Sequence, residues 1–334
     1  MRKLLLYITV VFVAAISVAA PSSSDAIITV LNSKTAGSDK HYNEALSVLS
    51  SDAKSGKIVQ QFLMALISRE GNLPSNLSIS EKLCNEYMEK SRPKIHEMAR
   101  KRNNSLAWFL IFLETNEPAI LEHAANLGNV QALNAYGMLK MSKAMEVLVS
   151  SPEEANVMMK ECFESFARAA DMGDANALNS LGICYQNGYG TLKDDNAAFK
   201  SFSKAAEQAH PEAINNMGRF YREGVVVKKD LNQAFKCFER SSSLGNVWGT
   251  INKASALFIG EGCAPDSKKA LSILNQAAKS GSADAMDFLS SCYQRGIGDV
   301  KPDSYLSMVW KIRAKASRGD KNALQWLRDS KAEL

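Results

Sequence analysis

The chain has few of the residues from which catalytic and metal sites are made. Its 334 residues include only four histidines, at positions 41, 96, 123 and 210, and none has a second histidine at metal-ligand spacing. His96-Glu97 begins like a zinc-protease helix, but Arg100 stands where the second histidine belongs. The six cysteines include no Cys-x-x-Cys, which argues against zinc. There is no Gly-x-Ser-x-Gly, and no cysteine has an obvious histidine partner. Paired acids such as Glu153-Glu154 and Asp194-Asp195 fall at helix starts, where the helix dipole favours negative charge. The expectation is a protein that is not an enzyme and needs no cofactor and no metal. The weakest-patterned stretch, Asn72 to Glu117, is where an unrecognised hydrolase site would have to lie.

Other scarcities bound the architecture. Eight prolines and no low-complexity tract argue against long disordered linkers. Beyond the N-terminus no hydrophobic run reaches membrane length, so no stable membrane insertion of the mature chain is expected. The N-terminus itself reads as a secretory signal: Arg2 and Lys3, an apolar run from Leu4 to Val18, and a small-residue exit at Ala19-Ala20. Residues 1–19 are the expected signal peptide, with cleavage as late as residue 26 and an uncleaved anchor as alternatives. The expected location is exported, either periplasmic or secreted. Losing Arg2 and Lys3 takes the formal charge from +5 to about +3, too mild a balance to point to nucleic acid. A basic cluster at Lys90, Arg92, Lys94, Arg100, Lys101 and Arg102 reads as a solvated helix face. Sequons at Asn76 and Asn103 would matter only in a eukaryotic lumen.

What the chain has in abundance is periodicity. Gly188, Gly224, Gly260 and Gly296 lie 36 residues apart. Ala177, Ala213, Gly249 and Ala285 keep the same interval, as do Tyr185, Tyr221, Leu257 and Tyr293. Such a period means one supersecondary unit stacked on copies of itself. In the unit from Gly173 to Gln208, a first helix (A) carries the stripe Ala177, Leu178, Leu181, Gly182 and Tyr185. Gly182 lowers helix propensity by about 1 kcal/mol relative to Ala, which predicts a contact too close for a side chain. Gly188 ends helix A in a left-handed cap. Asp194 caps a second helix (B), whose face is Ala198, Phe199, Phe202, Ala205 and Ala206. Recurrent Gly-x-Gly pairs lack the rest of a phosphate loop and read as helix caps.

The run Ala-Leu-Asn-Ser-Leu-Gly-Ile-Cys-Tyr-Gln-Asn-Gly-Tyr-Gly from Ala177 resembles the helix A signature of the Sel-one-like repeat family, relatives of the tetratricopeptide repeat. Lys204-Ala205-Ala206 and Ala277-Ala278-Lys279-Ser280-Gly281 resemble its helix B ending. The resemblance is strong from Gly128 to Gly298. It implies an all-α fold, a right-handed superhelical solenoid of antiparallel helix pairs, and an adaptor role without shared catalytic residues.

Offsets extend the array in both directions. Gly128, Ala132 and Gly137 start a unit stretched by nine residues around Lys143 to Glu154. Ala45, Gly56, Ala65 and Gly71 match a divergent copy over residues 41–71. The expected division is 27–126 for divergent helical repeats, 127–318 for Sel-one-like repeats and 319–334 for a C-terminal capping helix. Between Asn72 and Glu117 the register is lost, with helices expected from Ser80 to Lys90, Pro93 to Arg102 and Leu106 to Leu113.

Two candidate sites follow. Cys162 and Cys184 lie 11 residues before and after Gly173, so an antiparallel turn there sets them face to face, as a disulfide or as two core thiols. Cysteine-rich members of the family brace neighbouring helices with regular pairs, a regularity absent here. The second candidate is the helix A face turned away from helix B: Asn179, Ile183 and Gln186; Asn215, Arg219 and Arg222; Ile251, Ser255 and Phe258; Asp287, Ser291 and Gln294. With Ile259, the members Ile251 and Phe258 are expected as exposed apolar contacts. The leading reading is an exported adaptor for a protein or peptide partner, with an envelope or host protein among the candidates. The alternative is a periplasmic scaffold or regulator for envelope, signalling or secretion machinery.

Overall fold

The computed structural model describes residues 40–69, 77 and 79–330. The expected signal peptide, Gly71 and the Asn76 sequon lie outside them, as do residues 331–334. The described residues form sixteen α-helices and no strand. They are α1 (Lys40–Lys54), α2 (Ile58–Arg69), α3 (Glu81–Arg102), α4 (Ser105–Thr115), α5 (Pro118–Asn126), α6 (Val130–Val147), α7 (Pro152–Asp171) and α8 (Ala175–Asn187). There follow α9 (Asp195–Glu207), α10 (Pro211–Glu223), α11 (Leu231–Ser243), α12 (Val247–Ile259), α13 (Ser267–Lys279), α14 (Ala283–Arg295), α15 (Ser304–Ser317) and α16 (Lys321–Ser330). Each packs mainly on its neighbours in sequence. The chain divides into two compact units, one ending at His210 and the other starting at Pro211.

Local chemistry sets the helix boundaries. Asp174 and Asn246 cap A helices by accepting the amides of Ala177 (2.8 Å) and Gly249 (2.7 Å). Asp194, Asp230, Asp266 and Asp303 cap B helices in the same way, each satisfying an amide that the helix leaves unpaired. The capping aspartate amide also closes the A–B loop, donating to the carbonyl of Tyr185, Tyr221, Leu257 or Tyr293 at 2.7–2.9 Å. That bond gives the repeated aromatic column a backbone role in addition to packing. Between units, Gly128, Gly173, Gly245, Gly281 and Gly319 all have φ between 81° and 90°. Gly56, between α1 and α2, has φ 91°.

Packing is organised by a gap and a ring. A β-carbon at Gly137, Gly182 or Gly218 on helix A would stand 2.6–2.7 Å from a ring carbon of Phe166, Phe202 or Phe238 on helix B. All three rings are almost wholly buried. The missing side chain is the seat of the ring, as the cost of Gly182 predicts. In the next repeat the two columns hold Ala254 with Leu274, a larger residue opposite a smaller one, both fully buried.

The second glycine of each Gly-x-Gly does more than cap. A side chain at Gly190 would overlap the Met159 carbonyl, and one at Gly262 the Leu231 carbonyl. These glycines let the A–B loop of one unit rest on the B helix of the unit before it.

The stretched unit lengthens both of its helices. Its α6 and α7 have 18 and 20 residues, against 13 each for α8 and α9. One expectation fails. Residues 81–102 form a single helix through Pro93, where two helices were expected. A buried face of Cys84, Tyr87, Met88, Ser91, Ile95 and Ala99 runs through the proline, and its burial outweighs the lost backbone bond.

Two positions of the plan hold the wrong residue. Ala209 (φ 57°) replaces an inter-unit glycine, and Val226 (φ 66°) replaces the second loop glycine. Left-handed backbone costs such residues about 1–2 kcal/mol, offset partly by glycine's greater freedom in the unfolded chain. Ala209→Gly and Val226→Gly should each raise stability in urea denaturation by about 0.5–1 kcal/mol. The β-branched Val226 should gain more.

Candidate partner-binding surface

The outward face of the A helices divides into an internal seam and an open strip. Asn179 and Asn215 are 4% and 6% exposed and belong to the seam. Asn252 donates to Asn215 Oδ1 at 2.8 Å, and Arg222 donates to Asn252 Oδ1 at 3.4 Å while lying 5.5 Å from the Phe238 ring. Neighbouring A helices α10 and α12 are thus tied by amides. In the first unit the corresponding ties are Asn134 to Asp174 (2.8 Å) and His210 Nε2 with Asn176 Oδ1 (3.0 Å). The cost of burying these groups is offset by the bonds they make to the next repeat.

Ile251 and Phe258 correct the sequence reading. They are 6% and 3% exposed and belong to the core of residues 247–314. They share that core with Ala254, Leu257 and Leu289, while Gly249 lets α12 approach Ser241 of α11. Ile259, at 60% exposed, is the apolar group that does face solvent. Ile183, Gln186, Arg219 and Ser255 are half-buried, and Gln294 is exposed. Arg219 is loosely paired with Glu223 at 3.9 Å. The open strip is therefore Ile183 and Gln186 in the first unit, and Arg219, Ser255, Ile259 and Gln294 in the second.

Ser291 donates to the Asp287 carbonyl at 3.1 Å. Asp287 anchors a charged cluster, accepting from Lys311 at 2.9 Å and Arg318 at 2.6 Å, with Arg318 also on Asp284 at 2.9 Å. Burial pushes the Asp287 carboxyl upward, but the two cationic donors outweigh it and hold the carboxyl below its usual value.

Cys162 and Cys184 do face each other, both fully buried as thiols in hydrogen-bond contact. That contact and burial push the Cys162 thiol up. Burial also raises Cys237 and Cys263 and takes Cys292 to about 12. These four thiols stay protonated near neutral pH, the opposite of an activated nucleophile. His123 packs edge-on against Trp108 at 4.7 Å, and His210 is spent on Asn176. Among the described residues no three of His, Cys, Asp and Glu converge as metal ligands, and no helix is long and apolar enough to cross a membrane.

Helix pairs stacked on one 36-residue plan, tied by amide seams and seated rings, define an α/α repeat protein. The Sel1 repeat model matches residues 175–210, 211–246, 254–282 and 283–314, so this stretch of the chain carries Sel1 repeats. A Sel1 repeat protein from Oxalobacter formigenes has a similar structure, with TM-score 0.51 and 22% identity over 83% of this chain and 92% of that one. So does c5321, described as a protective antigen of uropathogenic Escherichia coli strains with an SLR fold, with TM-score 0.52 and 22% identity over 86% of this chain and 60% of that one. No curated protein matches the sequence. At these identities the structural likeness establishes the fold.

The charged cluster carries a signed pH dependence. A carboxyl held below its usual value stabilises the fold above its unfolded pKa, and this contribution is lost as pH falls through the folded pKa. The stability difference between wild type and Asp287→Asn should be on the order of 1 kcal/mol or less at neutral pH. It should shrink toward zero as the pH falls below the usual carboxylate range, as followed by urea denaturation across pH.

Proposed function

We propose that this protein is an exported, non-catalytic adaptor that holds a protein or peptide partner on the open strip of its A helices. The observation that carries the reading is where the polar chemistry goes. The buried amides and His210 are engaged between neighbouring repeats, and the Cys237, Cys263 and Cys292 thiols are held protonated by burial. What remains outward is a contact surface of mixed character, with Ile259 beside polar and cationic groups. Repeat proteins use such surfaces to bind partners. Export supports a second reading of the facing thiols: in an oxidising compartment Cys162 and Cys184 form a disulfide bracing α7 against α8.

Photo-crosslinking in the native compartment tests both parts. Benzoylphenylalanine at Gln186, Arg219 or Gln294 should capture one discrete partner, and the same probe at Lys204 on a B helix should not. The recovered chain should begin at Ala20, and its peptides should link Cys162 to Cys184. Equal capture from Lys204 would remove the A-strip assignment; an intact N-terminus with two free thiols would remove export.

A further inference from the structure

The B helix α15 of the second unit carries an apolar stripe that the B helices before it lack. At steps of 36 residues, Tyr305, Met308 and Ile312 stand where α13 has Lys269, Ser272 and Gln276, and where α11 has Gln233, Lys236 and Arg240. The six polar residues of α11 and α13 are all exposed. On α15 the same positions are open although apolar: Tyr305 is 57% exposed, Met308 is 43% exposed, and Ile312 is half-buried. Spacing of i, i+3 and i+7 sets the three on one face of the helix. The opposite face holds the buried Trp310 and Ala314, and none of the three stripe residues belongs to the core of residues 247–314. Solubility ordinarily keeps the open face of a repeat array polar. Charge around the stripe has one sign. Helix α15 contains no Asp or Glu, and Lys315 is exposed three residues beyond Ile312 on the same side. Residues 301–330 hold 7 Lys and Arg against 3 Asp and Glu. Two of those acids, Asp303 and Asp320, are spent on capping α15 and α16.

We propose that this stripe docks an amphipathic helix of a partner protein, with Asp or Glu flanking its apolar positions. The repeat itself shows why a helix fits. On α13 the positions that correspond to Met308 and Ile312, Ser272 and Gln276, line one side of a groove whose other side holds Trp310 of α15. By the same geometry Met308 and Ile312 look toward the place of a further helix, and their side chains supply apolar surface for it to bury. The cationic surround favours acidic flanks on that helix. It disfavours a second copy of α15, whose like charges would face its own. A lipid surface is a poorer match. An interfacial helix buries a broad apolar face, whereas α15 has one narrow stripe to offer because its opposite face is spent on the core. The stripe lies on a B helix, so it and the A-helix strip can fail their tests separately.

Fluorescence anisotropy with the mature chain tests the proposal. The probe is a fluorescein-labelled amphipathic peptide of about three heptads, with leucine on one face and glutamate elsewhere. Its counterpart carries lysine in place of glutamate. The expected result is binding of the glutamate peptide that weakens with added salt, and binding of the lysine peptide at least about tenfold weaker. The variant Tyr305→Lys/Met308→Ser/Ile312→Gln, which gives α15 the residues of α13, should lower the affinity for the glutamate peptide more than about tenfold. Met308→Ser alone changes an exposed position and should lower it severalfold. It tests the stripe even where Ile312→Gln disturbs folding, which circular dichroism reports. Lys236→Glu, on the outer face of α11, should leave binding within about twofold of wild type. Absence of binding by the glutamate peptide would overturn the proposal, as would equal binding by the lysine peptide or by the triple variant. So would a dimer in sedimentation equilibrium, or binding to phosphatidylglycerol vesicles, that the triple variant abolishes, since either would identify another occupant.

Discussion

A phenylalanine ring seated against a glycine sets the distance between the two helices of a repeat, and much of the structure depends on that distance. At Gly182 a β-carbon would stand 2.6 Å from Phe202 Cε1, well inside contact distance, so the helices approach to where only a hydrogen fits. Close approach brings the small column residues Ala177, Ala198 and Ala205 together at zero exposure. It also brings the A–B loop near enough for the Asp194 amide to reach the Tyr185 carbonyl at 2.9 Å. Each helix is only about 13 residues long, marginal in isolation, so packing and not propensity keeps it folded.

The same closeness explains why the seam between A helices is polar. Small residues there let backbones approach, and the asparagines fill the remaining space with hydrogen bonds that run to the next repeat. Arg222 joins that network and gains the Phe238 face, so it is a structural cation.

Much of the fold was legible because glycine at a left-handed turn, aspartate at a helix start and a ring opposite a gap are local requirements that recur every 36 residues. Gly56, at a φ of 91°, shares its left-handed backbone with the glycines that end the later units. Pro93 was misread because tertiary burial along Tyr87, Met88, Ser91 and Ile95 overrode a local breaker. The surface was less legible. Ile251 and Phe258 sit at outward positions by helical count, but whether a position is covered depends on how near the neighbouring helix comes, which a single helix's pattern does not show.

The central claim is that the glycine gap and the ring are one unit, and a double-mutant cycle on Gly182 and Phe202 tests it most directly. Gly182→Ala alone should destabilise by about 1–3 kcal/mol through overpacking, and Phe202→Leu alone by a similar amount through the space it leaves. The double variant recreates the alanine–leucine pairing of Ala254 with Leu274. The account predicts that it is more stable than the sum of the single changes by at least about 1 kcal/mol. Additive losses would contradict the account and show that the two columns set the helix spacing independently.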